Sequence, residues 1–193
     1  MNIRNILLGI AAVTLLTACS GGDYSPKPQA YLRIDLPQQE YSFVDTLPGF
    51  SFEVNRVAEI AVKKNTKRDL WIDINYPQWS GVVFLSHKHI VSPIDLRGQT
   101  DTSLRLLEKH YQFSSGVDEQ GYEDTGNHVY GNTYRLHGNK VASTYQFWLT
   151  DSVSHFLRGS LYLNRTPNND SLAPVLEYIQ TDIEHLIETL RWK

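Results

Sequence analysis

Three places in this chain hold residue types that could carry chemistry. Asp151, Ser152 and His155 bring an acid, a hydroxyl and an imidazole close together. A nucleophilic triad needs the acid to orient the imidazole and the imidazole to reach the hydroxyl. One hairpin loop seldom builds that geometry, and no oxyanion loop accompanies it. An aspartate closing its own turn is the simpler reading. His87 and His89 share one side of a strand, as two imidazoles ligating a metal would. Two residues do not make a site, and no nearby carboxylate completes it. Structural or surface histidines are the expectation. Cys19 is the only cysteine, so disulfides and Cys-ligated clusters have no second ligand. The chain has no nucleophile-elbow, phosphate-loop, dinucleotide or zinc-protease motif. No catalytic residue, metal or cofactor is expected.

The elements around Asp151 are the clearest in the sequence. Tyr145 to Leu149 and His155 to Leu163 alternate apolar and polar residues, the period of half-buried strands. Pairing Leu149 with His155 puts Tyr145, Phe147 and Leu149 on one apolar face with Leu157, Leu161 and Leu163. Tyr145 then covers Gly159. The other face carries Gln146, Trp148, Phe156, Arg158 and Tyr162. A Gly138-Asn139 turn pairs a strand over 128–137 with this hairpin, placing Tyr134 and Leu136 on the apolar face and Arg135 beside Arg158. Further strands are expected over 31–37, around Phe50–Val54, over Asp69–Tyr76 and over Val82–Ile90, with a short one near Gly121–Glu123.

A helix starting at Asp101 or Thr102 should run to about residue 113. The last element is a helix capped at Asn169, Asp170 or Ser171, with Pro174 in its first turn. Its apolar stripe includes Val175, Leu176, Ile179, Ile183, Leu186 and Ile187. The fold class is therefore α+β: an antiparallel sheet, the C-terminal amphipathic helix on its apolar face, and a second helix near 101–113. The mixed face either docks a partner or lies under that second helix. Arg135, Gln146, Trp148, Phe156, Arg158 and Tyr162 are the candidate partner-binding residues, because aromatics and arginine are enriched at hot spots.

The chain has 193 residues, 41% hydrophobic and 20% charged, with a net charge of −3. That suits one folded domain and gives no basic surface for nucleic acid. Residues 6–16 form an apolar run too short to span a membrane, followed by Leu16-Thr17-Ala18-Cys19. The tetrapeptide resembles a bacterial lipobox. Residues 1–18 are expected to be a lipoprotein signal peptide, Cys19 the acylated anchor, 19–30 a tether and 31–193 the globular domain. The membrane is then a partner through the N-terminal lipid. Lys63, Lys64, Lys67 and Arg68 form the densest basic run, read as a solvated loop or as a contact with anionic head groups.

Longer motifs point further. Pro26-Lys27-Pro28 with Tyr31-Leu32-Arg33-Ile34-Asp35-Leu36-Pro37 resembles the opening of the gliding motility lipoprotein GldD family of Bacteroidota. Trp71-Ile72-Asp73-Ile74-Asn75-Tyr76-Pro77, Gln146 to Ser152, His155 to Tyr162 and the stretch from Pro167 to Lys193 are similar to the same family. The resemblance is weakest over 93–129. It implies an envelope lipoprotein of the gliding and type IX secretion machinery that works with other gliding and secretion proteins. It supplies no catalytic residue. The expected location is the outer membrane, facing the periplasm, with the inner membrane as the other possibility. The rival expectation is a periplasmic small-ligand-binding or hydrolytic lipoprotein using the 151–158 hairpin.

Overall fold

Strand alternation in the middle of the chain produces one large sheet. The computed structural model describes residues 34–193. The expected signal peptide 1–18, Cys19 and the 19–30 tether lie outside the described residues, as do the first residues of the strand expected over 31–37. From Ile34 to Glu40 the chain pairs with no strand. The first described strand is β1 (Tyr41–Val44), followed by β2 (Phe50–Asn55), β3 (Glu59–Asn65), β4 (Asp69–Tyr76) and β5 (Gly81–His89). Helix α1 (Pro93–Glu108) comes next. Then come β6 (Gly116–Asp124), β7 (Val129–His137), β8 (Tyr145–Thr150) and β9 (His155–Leu163). Helix α2 (Asn169–Thr189) and the short β10 (Arg191–Trp192) end the chain.

Seven strands form an antiparallel sheet in the order β3-β4-β5-β9-β8-β7-β6. A smaller sheet has the order β1-β2-β10. Of the basic run read as a loop, Lys63 and Lys64 lie in the edge strand β3, which a register shift between Val62 and Lys64 interrupts, and Lys67 and Arg68 lie in the turn after it. A bulge and lysines blunt such an edge against further pairing. The short strand expected near residue 121 is the nine-residue edge strand β6, mostly exposed.

The apolar face is covered as expected. Val175, Leu176, Ile179, Ile183, Leu186 and Ile187 of α2 pack with Ile72, Ile74, Leu85, Phe147, Leu149, Leu157 and Leu161 of the sheet. Phe50 and Phe52 of β2 enter the same core at 0% exposure. Each such side chain contributes on the order of 2 kcal/mol by leaving water. Pro174 lies in the second turn of α2 rather than the first, because Asn168 is the N-cap. Its ring nitrogen forgoes one backbone bond there.

Two registers differ from the sequence expectation. Leu149 pairs with Leu157 and Phe147 with Gly159, a slip of two residues. The faces stay the same, but the ring over Gly159 is that of Phe147, not Tyr145. The β7–β8 register differs by an odd step, which exchanges faces. Arg135 pairs with Tyr145 and Tyr134 with Gln146. Tyr134 and Leu136 therefore face α1, and Arg135 faces α2. The cause is the connection from 138 to 144, which is a loop and not a two-residue turn. Val141 is buried within it, and the Asn169 side chain donates to the Gly138 and Val141 carbonyls at 2.7 and 2.9 Å.

Helix α1 starts well before residue 101. Ser92 caps it, its hydroxyl accepting from the Asp95 N–H at 3.1 Å, and Pro93 fills the first position. It ends at Glu108, short of the expected 113. Only Ser103 and Leu107 are buried. The helix packs on β8 and β9 from the side opposite α2, closing a small second cluster of Leu107, Tyr134, Leu136 and Val141.

Candidate functional site

Five of the six expected partner-binding residues share one face of the sheet. Gln146 and Trp148 stand on β8, and Phe156, Arg158 and Tyr162 on β9. Trp148 pairs with Arg158, and Gln146 with Ser160. The Trp148 and Phe156 rings stack with centroids 5.9 Å apart. Arg135 does not belong with them. It lies on the opposite face and makes a half-exposed ion pair with Glu184 of α2 at 3.1 Å. The face is also partly roofed. Gln146 and Phe156 are both 2% exposed, so neither offers contact area to a partner. Tyr162 reaches His110, just beyond α1, at 3.2 Å.

Arg158 is the unusual member. Its side chain is half-buried, yet it makes no ion pair with any described carboxylate. It donates to the Gln146 side-chain carbonyl at 2.7 Å and weakly to the Ser160 hydroxyl at 3.5 Å. The Gln146 amide nitrogen beside it has no partner. Burial presses the Arg158 pKa below its usual value. Burial, then the nearby Arg158 and Lys109 charges, press His110 below its own. The site thus holds a cation whose acceptors are all neutral, and it favours a carboxylate or similar anion. Beyond the edge of α1 the face continues into Phe84 and Trp71, 41% and 44% exposed. Phe84 packs on Tyr162 at 5.6 Å.

The 151–155 loop is not a triad. The Asp151 carboxylate accepts from the N–H groups of Val153, Ser154 and His155 and from the Ser154 hydroxyl, at 2.8–2.9 Å. Burial pushes its pKa up, and these bonds outweigh that and bring it below the ordinary range. Ser152 takes a left-handed conformation (φ 67°) and donates its N–H to the Thr150 hydroxyl. The His155 ring turns instead to His87, nitrogen to nitrogen at 2.9 Å. Trp192 stacks on His155 with centroids 5.1 Å apart. Burial, then the nearby His155 and His89, push His87 down to about 4. No metal-holding group of three or more His, Cys, Asp or Glu side chains occurs among the described residues.

Sequence reasoning missed a second polar cluster. Asp182 is 4% exposed on the inner side of α2. Its carboxylate accepts from Gln39 at 2.9 Å and from Tyr41, Asn55 and Tyr76 at 3.0 Å. Burial raises its pKa, and those bonds hold the rise in check. An aspartate interrupting the apolar stripe between Ile179 and Ile183 was the readable signal. With every donor satisfied, the cluster ties α2 to both sheets.

The family model described as gliding motility lipoprotein GldD matches residues 21–192. The chain belongs to the gliding motility lipoprotein GldD family. Membership makes it a lipoprotein of gliding motility, held at the cell envelope. The GldD description names no reaction. No described helix is long and apolar enough to cross a membrane. No curated protein matches the chain. The solution structure of cyanobacterial PsbP (CyanoP) from Synechocystis sp. PCC 6803 is similar over 84% of this chain and 98% of that one, at 14% identity and a TM-score of 0.48.

Proposed function

We propose that the chain is a non-catalytic assembly or stabilising component of the gliding and type IX secretion machinery. Acylated Cys19 holds it in the outer membrane, facing the periplasm, ahead of a single domain. The face around Arg158 docks another protein of that machinery and receives an acidic side chain from it. The observation that carries this reading is the Arg158–Gln146 pair. A half-roofed cation beside an unpartnered amide donor supports an anionic visitor. Phe84, Trp71 and Tyr162 supply the aromatic surround that such docking sites favour.

The test is Arg158→Met, with Arg158→Lys beside it, in a strain lacking the chromosomal copy. Methionine keeps the apolar stem and removes the charge. Replacing a half-buried charge that has no counter-ion should leave stability unchanged or raise it. Partner recovery, surface spreading and type IX cargo export should fall together. Lysine should rescue them partly, because it keeps charge but not the planar fork. Normal recovery, spreading and export by a folded Arg158→Met protein would overturn the docking assignment.

A further inference from the structure

A different surface stands out at the other end of β9. Three connections meet there: the β3–β4 turn, the link from β5 to α1, and the β8–β9 loop. Backbone bonds hold them side by side. His89 donates to the Arg68 carbonyl at 2.9 Å, and Ile90 donates to the Ser154 carbonyl at 2.7 Å. This end carries three aliphatic side chains in the open: Val91 at 57% exposure, Ile94 at 84% and Val153 at 73%. Loop tips rarely present so much apolar surface without something to cover it.

The same end is locally cationic in a protein whose net charge is −3. Lys67 and Arg68 are exposed and make no ion pair with a described residue. The carboxylates around them are engaged. Asp69 is held by Lys64 at 2.5 Å and by Lys88. Asp151 is saturated by its own loop. Asp95 accepts from the Val91 N–H and the Gln99 amide. Between the β3–β4 turn, the Pro48-Gly49 loop and the strands lies a cavity of about 160 Å³ whose lining includes Lys67, Arg68, His87, His89 and His155, together with Asp69, which Lys64 and Lys88 already neutralise. It is large enough for a phosphate group, and its walls supply donors and positive charge.

We infer that this end of the domain docks directly on an anionic phospholipid bilayer. Val91, Ile94 and Val153 enter the headgroup–acyl boundary while Lys67 and Arg68 meet lipid phosphate at the mouth of the cavity. Exposed aliphatics beside unpaired cations are the combination that interfacial membrane contacts use. Charge complementarity selects the occupant. A protein partner would need no phosphate-sized cavity, and a free anion would need no aliphatic rim. The contact is separate from lipid anchoring and does not depend on the Arg158 reading.

The experiment is vesicle flotation of full-length protein carrying Cys19→Ser, so that no acyl chain dominates binding. Vesicles of phosphatidylcholine alone are compared with vesicles carrying phosphatidylglycerol as about one lipid in three. Lys67→Gln/Arg68→Gln should weaken binding to the anionic vesicles by about thirty-fold. Ile94→Ser/Val153→Ser should weaken it by about tenfold or more. Lys140→Gln, in the loop at the opposite end of the sheet, should change nothing. Lys67, Arg68, Ile94, Val153 and Lys140 are all exposed, and unchanged thermal melts confirm that the variants fold. Equal binding by wild type and the Lys67/Arg68 variant would overturn the inference. So would displacement by inorganic phosphate at matched ionic strength, with the aliphatic variant binding normally, which would mark a free-anion pocket instead.

Discussion

Acid should weaken this fold chiefly through His87. Its ring is 7% exposed, packed 5.2 Å from Phe50 and bonded to His155. Its pKa falls from 6.5 to about 4 in the fold. In the unfolded chain the ring keeps its ordinary value. As pH drops below 6.5, the unfolded state takes up the proton first. Stability contributed by the neutral ring is therefore complete above 6.5 and lost progressively toward 4. By about pH 5 the loss from this one group is about 2 kcal/mol relative to about pH 7.5. With a urea slope of about 2 kcal/mol/M, the midpoint should drop by about 1 M. The control is His87→Gln, whose neutral amide carries both a donor and an acceptor for His155 but does not titrate. Urea unfolding of both proteins at the two pH values gives the difference. Asp182, whose pKa is raised, shifts stability the opposite way in the same range, and His155 shifts it the same way. Asp182 is present in both proteins and cancels, whereas His155 is bonded to residue 87 and its change is part of the measured difference. If the two lose the same stability between the two pH values, His87 is not held neutral and the argument fails.

Three other perturbations test the packing. Gly159→Ala places a methyl group against the Phe147 ring and should cost about 3 kcal/mol in chemical denaturation, with Phe147→Leu recovering part of it. Asp182→Leu strands the Tyr41, Asn55 and Tyr76 donors in the core and should cost about 3 kcal/mol or more by thermal melting, and Asp182→Asn clearly less. Ending the chain at Leu190 deletes β10 and the Trp192 ring over His155, which should lower stability by about 2 kcal/mol and expose His155 to exchange measurable by NMR.

What the sequence made legible was whatever depends on local periodicity. Strands β4, β5, β8 and β9 and helix α2 each bury one face, and each follows its hydrophobic pattern. Elements without a buried face were obscure. Helix α1 buries two residues and β6 almost none, so neither has a strong stripe. The start of α1 was nevertheless written in Ser92-Pro93 with Asp95, a capping signal that outranks the missing stripe. Register failed for a different reason. An odd change in the 138–144 connection exchanges the faces of β7, and nothing local to β7 records the length of that loop. That is why Arg135 was grouped with Arg158 and lies on the other side of the sheet. The His87–His155 contact joins residues 68 apart in sequence, and no local spacing encodes it.

Asp182, which is enclosed, and Arg158, which is half-buried, make a sharper case together than either does alone. Asp182 shows that the fold can satisfy an ion it encloses: four residues from three separate segments converge on one carboxylate. Arg158 receives no such treatment, though Glu and Asp side chains are plentiful in the chain. Its acceptors are one neutral amide oxygen and one distant hydroxyl, and the neighbouring amide donor is left bare. A domain built for stability alone would be better served by an apolar side chain at this position. A guanidinium bonded to Gln146 beside its cross-strand neighbour Trp148 is instead pre-positioned, with part of its desolvation already incurred on folding. An arriving carboxylate then gains a strong, charge-assisted bond at low additional cost. Affinity at such a site should reside in that one bond and its aromatic surround, so Arg158→Met should weaken partner binding far more than any substitution on the rim of the same face.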